Sequence, residues 1–402
     1  MNEFVETLLE LTWREPKRSY DVVIIGGGGH GIATAYYLAT RHGITNVAVI
    51  ERDYIGSGNS GRNTTIIRAN YGITESIRFY QHSVDLYEGL EAETGCWVMH
   101  ATMGLMWLAH SEAGMRTERA RAQLNSACGT ETVVIDASEA KRICPLLDIT
   151  GGGRYPVHGG SYHPGGATAR HDRVVWAYAQ GAMRLGVDIV QHTAVTGLLR
   201  DGTRVVGVET ANGPIAAGTV VCAVGGDVTT VANWADVRLP IRTHPLQAFV
   251  TNAYAPTLAT IVSSADLVGY ALQTARGQFL MGAEFETQPT YSRQNTFSML
   301  QTVSAKMITL LPFMANLRIL RAWAGRCDVS SDYSPIIGVT GVDGFLITTG
   351  WGTWGFKAIP AGGEQMAELI ATGRTSALIE PFALARFAAD HAMADRGSAG
   401  TR

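Results

Sequence analysis

The sequence predicts an α/β protein in which a discontinuous Rossmann-like domain carries an inserted α+β domain built on a mostly antiparallel sheet. Three separated segments predict the first domain, because each places an apolar strand beside a glycine-rich turn; they are residues 21–52, 187–226 and 344–373. The stretches between them carry strands and helices without a glycine-rich fingerprint. The inserted domain is therefore expected to come from these intervening stretches.

These patterns set the expected domain boundaries. We expect the Rossmann-like domain to comprise residues 1–75, 151–226 and 325–402. The inserted domain is expected to comprise residues 76–150 and 227–324. A length of 402 residues suits two interleaved domains of this kind.

The composition indicates a soluble globular protein. Hydrophobic residues make up 46% and charged residues 17% of the chain, so a large core is expected rather than disorder. The net charge is −3 without a basic stripe, which argues against a nucleic-acid partner. No apolar run approaches a membrane span, and residues 1–21 lack the apolar core of a secretory signal. The five cysteines are odd in number and lack CxxC spacing, so we expect free thiols in a cytoplasmic protein.

The first segment predicts a β-α-β unit. Residues 22–25 and 47–50 are continuous apolar runs of the kind buried on both faces of a parallel sheet. Between them, the glycines at 26–29 predict a turn and residues 32–40 predict a helix, which Gly43 ends.

The later segments complete the Rossmann-like domain. Residues 187–226 predict short strands joined by Asp-Gly and Asn-Gly turns, with Gly225 and Gly226 at their end. Residues 344–373 predict a strand, a loop rich in Gly and Trp, and a helix with Pro360 in its first turn.

The glycines of the first turn fit the fingerprint Gly-x-Gly-x-x-Gly at Gly26, Gly28 and Gly31, with Gly29 in the same turn. We call this turn the phosphate cradle, because its first glycine makes the tight turn, its second admits a pyrophosphate, and its third lets helix and strand pack closely. Glu51 lies twenty residues after Gly31, where an acidic side chain binds a ribose hydroxyl. The segment therefore predicts a bound dinucleotide, which on these residues alone is either NAD or FAD.

Two further strings carry a family resemblance: GSGNSGRNTTIIRANYG at residues 56–72 and GWGTWGFKAIPAGG at residues 350–363. With the phosphate cradle, they resemble the FAD-dependent amine oxidases of the sarcosine oxidase and D-amino-acid oxidase superfamily, in particular the beta chains of its heterotetrameric members. The resemblance covers nearly the whole chain and implies non-covalent FAD in the Rossmann-like domain. Beyond the cradle and Glu51, it implies FAD contacts at Gly58, Asn59, Asn63, Thr64, Thr65, Val195, Gly352, Thr353 and Gly355.

The same resemblance implies that Arg68 and Lys357 are catalytic residues that bind the substrate carboxylate. Arg68 follows an Ile-Ile pair, and a guanidinium can hold a carboxylate through two parallel hydrogen bonds. On the residues alone, Arg68 could equally pair with an interior glutamate, and Lys357 could be a solvated loop lysine. Trp351, Trp354 and Tyr71 are candidate pocket walls, with Trp354 where a smaller residue is expected.

His171 stands directly before Asp172, which is expected to cap a helix over residues 173–185 that Gly186 ends. This position outside the helix gives the imidazole no role in folding, and the residues alone favour a surface histidine. In the heterotetrameric relatives a histidine in this setting carries FMN through the flavin 8α-methyl carbon. The resemblance therefore implies covalent FMN on His171, a bond that requires a neutral imidazole.

The resemblance also implies one overall reaction. Sarcosine would be oxidatively demethylated to glycine, with hydride passing to FAD, and electrons passing on to FMN and then to O2 to give H2O2. The methyl carbon would leave as formaldehyde or as 5,10-methylenetetrahydrofolate, so tetrahydrofolate is an expected partner. Alpha, gamma and delta subunits of a heterotetramer are the expected protein partners.

Three alternatives stay open. An FAD oxidase or dehydrogenase of another N-methyl or secondary amino acid would share the carboxylate and ring contacts. An NAD-dependent dehydrogenase is a second alternative, which the segments at 56–72 and 350–363 disfavour because a nicotinamide enzyme does not require them. A flavin-holding assembly subunit, with catalysis in a partner chain, has no need of Arg68 and Lys357.

Overall fold

The chain folds into two large β-sheets with helices packed against them. The computed structural model describes residues 15–283, 285–389 and 391–393. Residues 1–14, which include most of the stretch predicted not to be a secretory signal, lie outside the described residues.

The strands, in chain order, are β1 (Ser19–Ile25), β2 (Val47–Ile50), β3 (Ile66–Ile67), β4 (Ala101–Thr102), β5 (Leu105–Ala109), β6 (Val133–Asp136), β7 (Gly159–His163), β8 (Ala167–Thr168), β9 (Asp188–Val190), β10 (Val195–Asp201), β11 (Arg204–Thr210), β12 (Gly213–Cys222), β13 (Ile241–Ala253), β14 (Ile261–Ser264), β15 (Gly269–Gln273), β16 (Gln278–Ala283), β17 (Ile319–Ser330), β18 (Ile336–Val339) and β19 (Phe345–Thr349). The α-helices of the described residues are α1 (Gly29–His42), α2 (Thr74–Thr94), α3 (Glu112–Ala127), α4 (Ala137–Ile143), α5 (His171–Arg184), α6 (Val228–Asn233), α7 (Phe297–Leu310) and α8 (Ile359–Thr372).

The first sheet confirms the predicted Rossmann-like core. Its order is β10-β11-β12-β1-β2-β9, with β19 beside β12 and β18 beside β19. Strand β1 runs parallel to both β2 and β12, and all four residues of β2 are buried. Because β1 lies between β2 and β12, their carboxyl ends form the edge at which doubly wound sheets bind ligands.

Helices α1 and α8 pack together on this sheet. Helix α1 ends at Gly43, whose φ of 66° lets its N–H bond to the Leu38 carbonyl, as predicted for a glycine stop. The contact with α8 requires a glycine, since a Cβ added at Gly363 would lie 2.5 Å from the Ala33 Cβ. Pro360 lies in the first turn of α8, also as predicted.

The second sheet is mostly antiparallel, as predicted, with the order β17-β13-β16-β15-β14-β5-β7-β6. Only the pair β14 and β5 runs parallel among its pairings. Helix α7 covers it with Val303, Met307 and Leu310, which pack in the same core cluster as Met106 and Phe279. A small third sheet has the order β3-β8-β4. The domain boundaries stay a prediction. Strand β7 belongs to the second sheet, although it lies in the range 151–226 that was expected to form part of the Rossmann-like domain.

The predicted start of helix α5 is wrong. The helix begins at His171, with Arg170 at the N-cap in an extended conformation, and Asp172 lies inside its first turn. Asp172 does not cap the helix because Arg170, two residues earlier, binds its carboxylate through both Nε and Nη2. His171 is therefore the first helical residue rather than a residue outside the helix.

The described residues contain no helix long and apolar enough to cross a membrane. They also contain no group of three or more His, Cys, Asp or Glu side chains placed to hold a metal ion. All five cysteines are free.

Candidate functional site

One cavity of about 490 Å³ extends from the carboxyl ends of β1 and β2 to the second sheet. It collects fifteen of the predicted site residues: Gly26, Gly28, Gly29, Glu51, Gly58, Asn59, Asn63, Thr64, Thr65, Arg68, Val195, Gly352, Thr353, Gly355 and Lys357. Gly31 and His171 are not on its wall. Gly31 lies below the cradle, where an added Cβ would be 2.1 Å from the Gly26 carbonyl oxygen.

The phosphate cradle leaves room for a diphosphate. Gly28 has ordinary backbone angles, and a Cβ added there would meet only the Ser60 hydroxyl, at 3.3 Å. Gly28, the N-cap residue of α1, has no side chain to cap the helix, and the first turn contains no acidic residue; of the first amides, that of Gly29 donates to the Ser60 hydroxyl. The amides of this N-terminus therefore present positive charge toward the cavity, which fits the diphosphate of FAD.

Glu51 is fixed at the end of β2. Its carboxylate accepts hydrogen bonds from the backbone N–H groups of Gly27, at 2.8 Å, and Asp53, at 2.9 Å. The side chain is buried and lines the cavity. A carboxylate held this firmly can accept hydrogen bonds from a ribose without rearranging.

Several polar groups of the loop after β2 form hydrogen bonds to other groups of the protein. The side-chain oxygen of Asn59 accepts from the Arg326 backbone N–H at 2.9 Å, and the side-chain NH2 group of Asn59 donates to the Arg326 backbone carbonyl. Asn63 accepts from the Thr65 backbone N–H at 2.7 Å, where Thr65 has a φ of 64°. Thr64 accepts from the Tyr270 hydroxyl at 3.0 Å. These bonds fix the shape of the loop, and its FAD contacts stay a prediction.

Arg68 is buried where β3 ends. Its guanidinium donates to the Asn70 side-chain oxygen at 3.1 Å and to the Asn70 backbone carbonyl. It lies 4.2 Å from the centre of the Tyr71 ring and 5.2 Å from that of Trp107. Aromatic faces stabilise a guanidinium without neutralising it, and the same charge acts on the buried Glu118 carboxylate.

Lys357 lies beside Arg68 in the turn before α8. The side chain is 6% exposed, and its ammonium group has a single long hydrogen bond, 3.4 Å to the Thr353 carbonyl. Helix α2 holds the turn, since Ser83 and Tyr87 each donate at 2.6 Å to the carbonyls of Lys357 and Phe356. Burial, with the nearby Arg68 charge, holds the pKa of Lys357 well below its usual value.

Aromatic side chains form much of the cavity wall near these two cations. Trp351 and Trp354 line it as predicted, whereas Tyr71 is fully buried off the wall and stacks on Tyr80 at 4.1 Å. Trp107 also lines the wall, and the indole N–H groups of Trp107 and Trp354 have no partner among the described residues. Unpaired buried donors beside Arg68 favour a ligand that accepts hydrogen bonds.

Sequence reasoning missed His30 and Asp328. His30 lies in the phosphate cradle, stacks on Trp351 at 4.2 Å, and has a pKa lowered to about 3 by burial. Asp328 lines the cavity from β17, and burial raises its pKa to about 6 although Thr349 and Gly350 donate hydrogen bonds to it. The histidine inside the fingerprint was a visible signal, whereas Asp328 reaches the site through a long-range contact that no local pattern reveals.

His171 lies away from the cavity, half-buried at the start of α5. Burial is the main cause that lowers the pKa of its imidazole, which keeps the ring neutral at neutral pH. Nearby, Arg173 donates at 2.9 Å to the carbonyl of Trp97, whose side chain is 61% exposed. The first turn of α5 thus combines a neutral imidazole with two arginines, Arg170 and Arg173.

Comparisons with known proteins agree over nearly the whole chain. The FAD dependent oxidoreductase (DAO) family matches residues 21–369. The chain is 41% identical over 392 residues to sarcosine oxidase subunit beta of an Arthrobacter species, with 97% of each chain covered. It is 42% identical over 373 residues to sarcosine oxidase subunit beta of Rhodobacter capsulatus, which covers 93% of this chain and 90% of that one.

Solved structures show the same fold. The crystal structure of L-proline dehydrogenase from P. horikoshii has a TM-score of 0.88 at 30% identity, and covers 93% of this chain and 99% of that one. Glycine oxidase from Geobacillus kaustophilus has a TM-score of 0.82 at 22% identity, and covers 92% and 99%. The likeness therefore extends over both sheets rather than the Rossmann-like half alone.

Proposed function

The chain belongs to the FAD dependent oxidoreductase (DAO) family, and from that membership we propose that it is the catalytic subunit of a sarcosine oxidase. Its similarity to sarcosine oxidase beta subunits supports flavin-dependent oxidation of an amine. The proposal goes further and names sarcosine as the substrate and glycine as the product.

One observation carries the proposal: Arg68 and Lys357 lie in the same cavity as the phosphate cradle. An amino-acid carboxylate between them would receive the charged hydrogen bonds that both side chains can donate. Its negative charge would also offset the effect of the Arg68 charge on Lys357. The two residues therefore bind and orient the carboxylate, which places the amine end of the substrate toward the aromatic wall.

Bound FAD would supply a two-electron acceptor for a hydride from the N-methyl carbon of sarcosine. The residues of this chain contribute the conditions for that transfer. Arg68 is positively charged and buried, so a cationic amine nearby is disfavoured and the reactive neutral amine is favoured. Trp107, Trp351 and Trp354 line the cavity and exclude water from the amine.

We assign a second role to His171, the covalent attachment of FMN. The neutral imidazole supports this assignment, because a protonated ring could not attack the flavin methyl carbon. Arg170 and Arg173 beside it suit the FMN phosphate. In this scheme electrons reach O2 through FMN and give H2O2, and the methyl carbon leaves as formaldehyde or 5,10-methylenetetrahydrofolate. The name "subunit beta" of the relatives supports an enzyme of several subunits. The proposal specifies a heterotetramer with alpha, gamma and delta chains.

A second candidate substrate is L-proline. The likeness to L-proline dehydrogenase, at 30% identity and a TM-score of 0.88, favours it. Proline is also a secondary amino acid, so its carboxylate would use Arg68 and Lys357 in the same way.

An anaerobic reduction assay tests both candidates. The purified protein is mixed without oxygen with sarcosine, L-proline or glycine, and the flavin absorbance near 450 nm is followed. We expect rapid bleaching with sarcosine and at most slow bleaching with the others. Faster bleaching by L-proline would replace sarcosine with proline, and no bleaching by any of them would contradict catalysis in this chain.

A further inference from the structure

Four arginines lie near one another on the wall of the cavity, close to the carboxyl end of β2. We call this group the arginine rim; it consists of Arg52, Arg62, Arg293 and Arg326, all of which line the cavity. The loop 57–62 connects the rim to the N-terminus of α1, since it carries Arg62 and its Ser60 hydroxyl accepts from the Gly29 N–H at 2.8 Å.

Three of the four arginines are already engaged by the protein. Arg52 and Arg326 share the carboxylate of Asp227, each at 2.7 Å, and Arg52 also pairs with Asp53 at 3.7 Å. Arg62 donates to the carbonyl of Gly58 at 2.9 Å and to that of Ser57.

Arg293 is different, because its guanidinium has no hydrogen bond or ion pair among the described residues. It is half-buried, and the charges that act on it are those of Arg326, Arg62 and Arg52, opposed only by Asp227. Burial and these like charges lower the pKa of Arg293, although the group stays charged. A half-buried guanidinium held among like charges favours an anion within its reach.

The backbone on both sides of Arg293 is fixed, so its position does not depend on a free loop. The Thr290 N–H donates to the Thr243 carbonyl at 2.9 Å. The Tyr291 carbonyl accepts from Arg326 Nε at 2.8 Å, and the Thr296 N–H donates to Gln247 at 2.7 Å. The connection between β16 and α7 is thus fastened to strands β13 and β17.

We propose that Arg293 binds the diphosphate of FAD, as a clamp that the β16–α7 connection places over the phosphate cradle. The diphosphate would be held from one side by the amides of α1 and from the other by Arg293. The inserted half of the chain would then contribute directly to FAD retention, although the phosphate fingerprint lies wholly in the Rossmann-like half.

The test measures how fast FAD leaves the FAD-containing protein, so it needs no substrate and stands apart from the proposed reaction. The variants are Arg293→Gln, Arg293→Lys and, as a matched control, Arg276→Gln, whose arginine is exposed on the β15–β16 turn and does not line the cavity. Release is followed by the rise in FAD fluorescence after dilution. Loss of one charged hydrogen bond should speed release about tenfold to a hundredfold in Arg293→Gln.

Salt distinguishes a phosphate contact from a change of loop shape. Raising KCl from about 0.05 to 0.5 M should speed FAD release from the wild-type protein and from Arg276→Gln, and should affect Arg293→Gln much less. Arg293→Lys keeps the charge and should release FAD more slowly than Arg293→Gln. The proposal is overturned if Arg293→Gln releases FAD within about twofold of Arg276→Gln, or if both respond equally to salt.

Discussion

Arg68 lines the cavity while its guanidinium is fixed in place by neighbouring residues. Its guanidinium donates to both Asn70 oxygens and lies against the faces of Tyr71 and Trp107. Aromatic faces leave the positive charge largely unneutralised. A substrate carboxylate in the cavity would place an opposite charge next to this guanidinium.

Replacing Arg68 by Ala should weaken substrate turnover strongly while FAD stays bound. Losing a charged contact to a desolvated carboxylate costs about 2 to 5 kcal/mol, so kcat/KM for sarcosine should fall by about thirtyfold or more. Arg68→Lys keeps the charge but loses the two parallel donors of the guanidinium. Its kcat/KM should lie between those of the wild type and Arg68→Ala. Arg119→Ala, an exposed arginine on α3, serves as the control and should not change kcat/KM. Wild-type turnover in Arg68→Ala would mean that the carboxylate binds elsewhere.

Lys357 should make the substrate-free protein less stable at neutral pH. Its pKa in the folded protein lies well below the value of about 10.4 in an unfolded chain. Between those two pKa values the unfolded chain binds the extra proton, so the free energy of unfolding rises with pH. Lys357→Met, which keeps the shape without the amine, should therefore raise that free energy at pH 7 by about 1 to 3 kcal/mol.

This gain should shrink as the pH approaches 10, and it should come with a large rise in KM for sarcosine because one carboxylate partner is gone. Thermal unfolding of the FAD-containing protein at pH 7 and pH 9.5, without substrate, measures the first effect. A Lys357→Met variant that is less stable than wild type at pH 7, by the same amount at both pH values, would contradict a lowered pKa of Lys357 in the folded protein.

At the scale of elements, sequence patterns predicted strands and helix ends where neighbouring residues along the chain determine them. The strand over 22–25, the helix stop at Gly43 and the position of Pro360 all follow from nearest neighbours along the chain. The start of α5 was mispredicted although its cause is local: Asp172 is a good helix cap by residue type, but Arg170 binds its carboxylate. Asp328 reaches the cavity through the pairing of β17 with β13, and Arg293 through the hydrogen bond of its segment to Thr243 of β13; in both cases the partners are far apart in sequence.

Helix α1 gives a sharp test of the phosphate cradle. Gly28→Val should fold normally, because Gly28 has backbone angles that any residue adopts and an added Cβ meets only Ser60. It should nevertheless lose FAD, since the valine methyl groups occupy the space of the diphosphate. Gly89→Val, on an exposed position of α2 with open space around it, is the matched control. Absorbance at 450 nm per polypeptide reports FAD content, and full FAD content in Gly28→Val would remove the cradle from the binding site.

At the scale of the whole molecule, the predicted sites fall into two places. The fifteen cavity residues lie between the two large sheets, while His171 lies at the start of α5 on a surface that also exposes Trp97. A flavin on His171 would be outside the FAD cavity, and this chain alone would leave part of it in water. A subunit boundary at this surface would complete the site, as the heterotetrameric scheme requires.

His171→Asn therefore separates the two flavins. The variant, produced with its partner subunits, should keep its FAD, lose the flavin that stays with the denatured polypeptide, and let sarcosine bleach FAD without rapid H2O2 formation. His158→Asn, an exposed histidine that pairs with Glu112, is the matched control and should keep both flavins. The chain produced alone should hold FAD but carry little FMN, because the covering surface is missing. The mass of the denatured chain reports whether a flavin is covalently attached. A flavin that is still attached in His171→Asn would mean that another residue forms the bond, and His171 would then be an ordinary side chain of the first helical turn.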